Sequence, residues 1–214
     1  NKELFKDLWI YDKIEFKKYP IIKLKMNDLK YNKNIKDFEA SLLDQLKDIY
    51  KKYNLELEAS DYKIAFKDLI HKLSKIEKVV LLIDEYDKPI IEYIESPLTP
   101  KDGVEKAKEM RDLLKNFYET IKANDEYIHF AFLTGVSKFS KVSVFSSLNN
   151  LTDITTNKKY SKILGITEND LYSYFEEYIE TLAKENEVSV DELKLILREW
   201  YNGYSWDGKN FLYN

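Results

Sequence analysis

The chain has 214 residues, 44% hydrophobic and 34% charged, with a net charge of −4 and an isoelectric point near 5.5. That length suffices for one sizeable core and a small second lobe, while the acidic balance offers no global electrostatic case for nucleic-acid binding. The absence of cysteine excludes disulfides, thiolate zinc sites and cysteine nucleophiles, no apolar stretch approaches the roughly 18 residues that span a bilayer, and the opening Asn-Lys-Glu-Leu-Phe lacks a signal-peptide apolar region, so a cytoplasmic protein is expected.

Along the chain, Tyr19 to Met26 reads as a strand. Phe38, Leu42, Leu46, Ile49, Tyr50 and Tyr53 then recur at helical spacing, as do Tyr62, Phe66, Leu69, Ile70 and Leu73. His71 and His129 are the only histidines, too few for a histidine-rich metal site. The segment Val79 to Pro89, Val-Val-Leu-Leu-Ile-Asp-Glu-Tyr-Asp-Lys-Pro, is the most informative. Its apolar run predicts a strand buried on both faces, as in the centre of a parallel sheet. Asp84 and Glu85 then stand at the carboxyl end, where open α/β sheets place ligands.

Two adjacent carboxylates at a strand end suit Mg-nucleotide hydrolysis, an arrangement called Walker B. One acid holds Mg²⁺ through its waters, and the next orients or deprotonates the attacking water. A buried strand that merely enters an acidic surface turn is the competing reading. A loop around Pro97, Pro100 and Gly103 follows, then a long helix with Ala107, Met110, Leu114, Phe117, Tyr118 and Ile121 on one face. Tyr127 to Leu133 predicts another strand, running into Thr134-Gly135, where a threonine can hydrogen-bond the attacking water or simply begin a turn. Alternating strands and helices imply an α/β fold with a parallel sheet, the 79–84 strand lying between those at 20–25 and 127–134.

Beyond about residue 164 the pattern is helical, dividing the chain into an α/β core over 1–164 and a lid-like helical subdomain over 165–214. Thr167 with Asp170 and Ser189 with Glu192 are capping signatures for helices carrying Leu171, Phe175, Tyr178, Ile179 and Leu182, then Leu193, Ile196 and Trp200. Asn202-Gly203 stops the second, and Asp207-Gly208 predicts a tight terminal hairpin. Gly203 to Lys209 also fits the G-x-x-x-x-G-K spacing of a phosphate loop, but it follows a helix, holds two bulky aromatics and has no helix after it. We read it as helix stop plus hairpin. Among 34 basic residues only Arg111 and Arg198 are arginine, a compositional bias before it is a functional clue.

The strings Leu133-Thr-Gly-Val-Ser-Lys-Phe-Ser140, Val144 to Ile154, Val79 to Pro89 and Trp200-Tyr-Asn-Gly-Tyr204 together closely resemble the bacterial AAA-ATPase-like family. The resemblance implies a P-loop NTPase-like parallel sheet flanked by helices, with ATP and Mg²⁺ as ligands, a possible homo-oligomer and, in the full-length protein, a PD-(D/E)XK nuclease-like domain in cis. It does not establish nucleic acid as a partner. By position, Asp84 resembles the Mg²⁺-associated acid, Glu85 the water-activating base and Thr134 the sensor. Lys138 and Arg111 fall within similar strings and become candidates for contacting phosphate or a neighbouring subunit, against the plainer reading of surface charge or a helix salt bridge. Family members place a strand and a Gly-Lys-Ser/Thr phosphate loop ahead of the segment that opens this chain, so the fragment itself is expected to be inactive. An unpaired edge is expected beside residues 128–133, filled by residues 151–155, by a partner chain or by strand exchange. A non-hydrolysing interaction module and a metal nuclease using Asp84, Glu85 and Asp87 remain as alternatives.

Overall fold

The computed structural model describes residues 2–30, 35–94, 100–136 and 150–213. The chain divides into two compact units, Asn1–Asn150 and Leu151–Asn214. The first is built on a parallel sheet of β1 (Ile21–Lys25), β2 (Val79–Asp84) and β3 (Ile128–Leu133), in that spatial order. The Asp84 strand is therefore central, as its apolar run predicts. Register aligns Lys25 with Asp84 and Ile83 with Leu133, so the carboxyl ends of all three strands meet at one rim.

One face of this sheet is closed. Ile22 and Leu24 of β1 and Val79, Leu81 and Ile83 of β2 are buried, and α2 (Tyr62–Ser74) packs on β2 with α1 (Ile35–Lys52) and α4 (Pro100–Ala123) against α2. These helices form because their apolar residues recur at three and four positions: Phe38, Leu42, Leu46 and Ile49 in α1, and Phe66, Leu69, Ile70 and Leu73 in α2. Asp61 caps α2 by accepting from the amides of Lys63 and Ile64 at 2.9 and 3.0 Å. Phe117 of α4 packs on Phe66 with ring centroids 4.7 Å apart. Each such buried ring or leucine contributes roughly 1.5–3 kcal/mol.

The opposite face departs from the expectation of a strand covered on both sides. Val80 and Leu82 are only half-buried, and their neighbours Ile21 and Phe130 are 39% and 52% exposed. The two sheet edges also differ. On β1, the Tyr53 hydroxyl accepts from Ile21 N at 2.7 Å, and Gln45 bonds both the N–H and the carbonyl of Lys25, so α1 and the residue just after it occupy these outward backbone groups. Among the described residues no strand and no side chain does the same for the outer edge of β3. Among the described residues this edge is unpaired, and the expected filling by residues 151–155 is not seen, since they form no strand; residues 2–18 contribute one turn of 3-10 helix, Lys2–Phe5, rather than a strand.

Two local readings change. A short helix, α3 (Lys88–Ile94), follows the Asp84 strand where the sequence reading passes straight to the loop, because proline is compatible with a first helical turn. The anticipated loop ends at Pro100, which opens α4, and Gly103 lies inside that helix. A Cβ there would sit 2.8 Å from the Tyr93 carbonyl oxygen, so glycine lets α4 approach α3.

The second unit packs α5 (Glu168–Tyr174), α6 (Glu176–Glu185) and α7 (Val190–Tyr201) around Ile179, Ala183 and Leu193. Thr167 and Asp170 form the reciprocal capping box their spacing predicts, and Ser189 accepts from Glu192 N at 3.1 Å. The single helix expected through Phe175 is instead two, divided where Phe175 takes φ −120° and ψ 16°. Strands β4 (Asn202–Tyr204) and β5 (Leu212–Tyr213) pair antiparallel, with seven residues between them rather than a tight turn. Asp207 accounts for the longer loop, since its carboxylate accepts from the amides of Lys209 and Asn210 at 2.9 and 2.8 Å and so satisfies them without a ladder. Among the described residues no helix is long and apolar enough to cross a membrane.

Candidate functional site

The rim where the three strands end gathers Asp84, Glu85 and Thr134. Asp84 terminates β2, and Thr134 follows β3 directly. The Thr134 backbone continues the β2–β3 pairing: its N–H donates to the Ile83 carbonyl at 2.9 Å, and its carbonyl accepts from Tyr86 N at 2.8 Å. With the backbone so held, the hydroxyl falls between the two acids. Thr134 Oγ1 donates to Asp84 Oδ1 at 2.6 Å and itself accepts from the Glu85 amide at 3.4 Å. A 2.6 Å contact to a carboxylate is a charge-assisted hydrogen bond.

Glu85 leaves the strand with φ +53°, a left-handed conformation that costs a non-glycine residue about 1–2 kcal/mol. The turn directs its side chain toward Asn27, in the single 3-10 turn after β1, whose Nδ2 donates to Glu85 Oε1 at 3.4 Å. Asn27 is the site residue that sequence reasoning missed. Nothing in Lys25-Met-Asn-Asp distinguishes it from a loop asparagine, because its role depends on the register of β1 against β2. Gly135 completes the rim. A Cβ at this position would lie 2.5 Å from the Tyr86 ring and 2.7 Å from Asp87 Oδ1, so only glycine lets the loop after Thr134 pass. Asp87 itself is fully buried, and its carbonyl accepts from the amides of Ile90 and Ile91 at the start of α3. The Tyr118 hydroxyl donates to the Tyr86 carbonyl at 3.3 Å, tying this turn to α4. Burial pushes the Tyr118 phenol well above its usual range.

Of the other candidates, Arg111 donates from Nε and Nη2 to Asp112 Oδ1 at 2.9 and 2.7 Å, engaged by its sequence neighbour and not by the Asp84 rim. That is the plainer alternative, a local helix ion pair. Lys138 lies outside the described residues, as does most of the string that suggested it. The loop with G-x-x-x-x-G-K spacing sits between β4 and β5, in a hairpin rather than between a strand and a helix.

The donor set bears on metals. Asp84 offers its second oxygen and Thr134 its remaining lone pair, which suits an ion that keeps most of its water and takes other ligands from a phosphate. It does not make an all-protein cage. Among the described residues no three His, Cys, Asp or Glu side chains converge.

Comparison with known proteins places the chain. The family described as predicted AAA-ATPase matches residues 1–145. A protein of Azotobacter chroococcum mcd 1, named "Uncharacterized protein in vnfD 5'region", is 34% identical over 212 residues, covering 98% of this chain and 38% of its own length. The chain thus spans well under half of this relative, whose similarity extends across both units. No solved structure matches. The apolar strand with its two carboxylates, the threonine that meets them and the match over 145 residues agree: the chain belongs to the AAA-ATPase-like family.

Proposed function

We propose that this chain supplies the hydrolytic half of a Mg-ATP site in a longer ATPase, with Asp84 as the Mg²⁺-associated acid, Glu85 as the general base and Thr134 as the sensing hydroxyl. The observation that carries the reading is the Thr134–Asp84 hydrogen bond of 2.6 Å at the rim where both strands end. It joins the two positions the family resemblance marks independently. Mg²⁺ at Asp84 would screen the triphosphate charge. Glu85, held by Asn27, is oriented to accept a proton from water, and Thr134 fixes which Asp84 oxygen remains available.

The phosphate cradle is the other half. Beside β3 the described residues leave an edge without a strand, and the adjoining sheet face exposes Phe130 and Ile21. Parallel sheets are ordinarily covered on both faces. A strand, phosphate loop and helix from the longer protein would pair with β3, cover that face and bring backbone amides to the rim. Arg111 and Lys138 keep at most a secondary place as subunit or phosphate contacts. Against a three-carboxylate nuclease stand the full burial of Asp87 and the lack of a converging acidic triad among the described residues.

The test uses the longer protein. Glu85→Gln should retain nucleotide while turnover falls about 10²-fold or more, since the amide keeps the shape but cannot take the proton. Unchanged turnover in Glu85→Gln overturns the assignment.

A further inference from the structure

The glycine-bounded loop that fails as a phosphate loop of the P-loop kind has another place in the fold. Gly203, Lys209 and Asn210 form one side of an open cleft of about 680 Å³ within the second unit. Lys162, from the segment before α5, and Arg198, from the last turn of α7, face the same cleft. Three of the seven basic residues between 151 and 214 therefore line one depression, in a unit that carries twelve acidic ones. None of the three cations forms an ion pair with a described residue, although Glu168 and Glu199 also border the cleft. Glu168 is turned to another partner, accepting from the Tyr172 hydroxyl at 3.1 Å.

The frame around the cations is fixed. Asp207 holds the amides of Lys209 and Asn210, and its Oδ2 accepts from Asn210 Nδ2 at 2.7 Å. The same Nδ2 lies 3.2 Å from Ser161 Oγ, next to Lys162, so one network sets the backbone on both flanks. These amides hold the Asp207 carboxyl well below the usual carboxylate range, keeping the network formed throughout the physiological range. Gly203, with φ +141°, has nothing within 4 Å of where a Cβ would stand, leaving its peptide open to close approach. Phe211, 57% exposed, adds an apolar wall.

We infer that this cleft binds a phosphate group through Arg198, Lys162 and Lys209. The three cations outnumber the two carboxylates that border the cleft and none of them is paired with a described residue, so a bound anion adds favourable charge there. The guanidinium fork of Arg198 matches phosphate oxygens in pairs, with the lysines as point charges around it. A phosphate, with three oxygens to share, answers three separate donors better than a carboxylate with two does. The acidic surface elsewhere in the unit disfavours a nucleic-acid backbone and favours a small ligand. Phe211 and the carboxylates of Glu168 and Glu199 could meet the remainder of a phosphorylated, hydroxyl-bearing molecule, although free phosphate shares the same core chemistry.

The experiment is an amide NMR titration of the 214-residue chain at constant ionic strength, with ribose 5-phosphate and inorganic phosphate as probes and acetate and ribose as controls. Saturable shifts confined to residues 161–168, 198–203 and 207–211 are expected with both phosphates and not with the controls. Tighter binding of the ester identifies a phosphorylated small molecule, and equal affinity identifies free phosphate. Arg198→Gln and Lys209→Gln, with spectra otherwise dispersed as in the parent, should each weaken binding about tenfold, the scale of one charge-assisted contact. Asp84→Asn should leave it unchanged, which separates this site from the proposed ATPase site. Shifts that do not saturate, acetate acting as phosphate does, or undiminished binding in both cleft variants would overturn the inference.

Discussion

Glu85 is strained in the service of its direction. With φ +53°, it occupies a conformation that glycine adopts freely. Glu85→Gly should therefore stabilise the chain by about 0.5–1 kcal/mol in urea titrations, while removing turnover from the longer protein. A loss of stability would mean that the Asn27 contact contributes more than the backbone costs. Gly135 behaves oppositely. The 2.5 and 2.7 Å distances to the Tyr86 ring and Asp87 leave no room for a methyl group, so Gly135→Ala should cost about 1–3 kcal/mol, measured the same way. At Thr134, replacement by valine keeps the volume but deletes the hydroxyl that meets Asp84 at 2.6 Å. The expected loss is about 1–3 kcal/mol, larger than for a surface threonine because the partner is charged. The place of Asp84 and Glu85 at a strand end was legible in the sequence, since an apolar run closed by acidic residues reads as a strand and its exit. Asn27 was not, because its significance is created by strand register.

Secondary structure followed the same division between local and long-range causes. Capping box, helix stop and strand order could be read because each rests on neighbouring residues or on simple alternation: Thr167 with Asp170, Asn202 before Gly203, the apolar runs at 79–84 and 128–133. Helix α3 escaped because Pro89 is equally at home in a turn and a first helical turn. The place of Gly103 within α4 escaped because its need for glycine comes from the Tyr93 carbonyl, on another helix. The half-open sheet face escaped as well: Val80 and Leu82 read as buried from composition alone, and their exposure depends on what packs above them. The β3 edge, unpaired among the described residues, has a measurable consequence. Phe130→Lys should reduce self-association of this chain in sedimentation runs without changing its helical signal, because a charged residue discourages pairing at an exposed strand. Undiminished association would place the sticky surface elsewhere.

For the molecule as a whole, burial of phenols sets its response to alkali. Desolvation raises the Tyr118 phenol in the folded state, and it likewise raises those of Tyr50 and Tyr62, with Asp68 adding to the effect at Tyr50. The folded chain thus keeps protons that the unfolded chain releases near pH 10. The stability from this source is fully present below that pH and falls as pH rises beyond it. A urea midpoint constant between about pH 7 and 9 and declining above about pH 10 is expected. Tyr118→Phe should flatten the decline, and an unaltered profile would assign it to other groups. The 214-residue chain alone is also expected to hydrolyse ATP no faster than background, since the backbone cradle for phosphates contributes most of the grip on the triphosphate. Robust turnover by this chain that disappears in Glu85→Gln would show that the cradle lies within it.

The order β1-β2-β3 follows the order of synthesis, each new strand joining the one before it. A ribosome adding about 5–20 residues per second takes several seconds to deliver each next strand, whereas helices and hairpins form in microseconds. Growth of the sheet is therefore paced by translation. Its growing margin moves outward from β1, whose far side Tyr53 and Gln45 seal once α1 has emerged, and comes to rest on β3. The margin left receptive is the one beside Thr134. Among the described residues β3 is the edge left open, so a strand that joins later docks beside Thr134, and completing the sheet and completing the proposed site become one event.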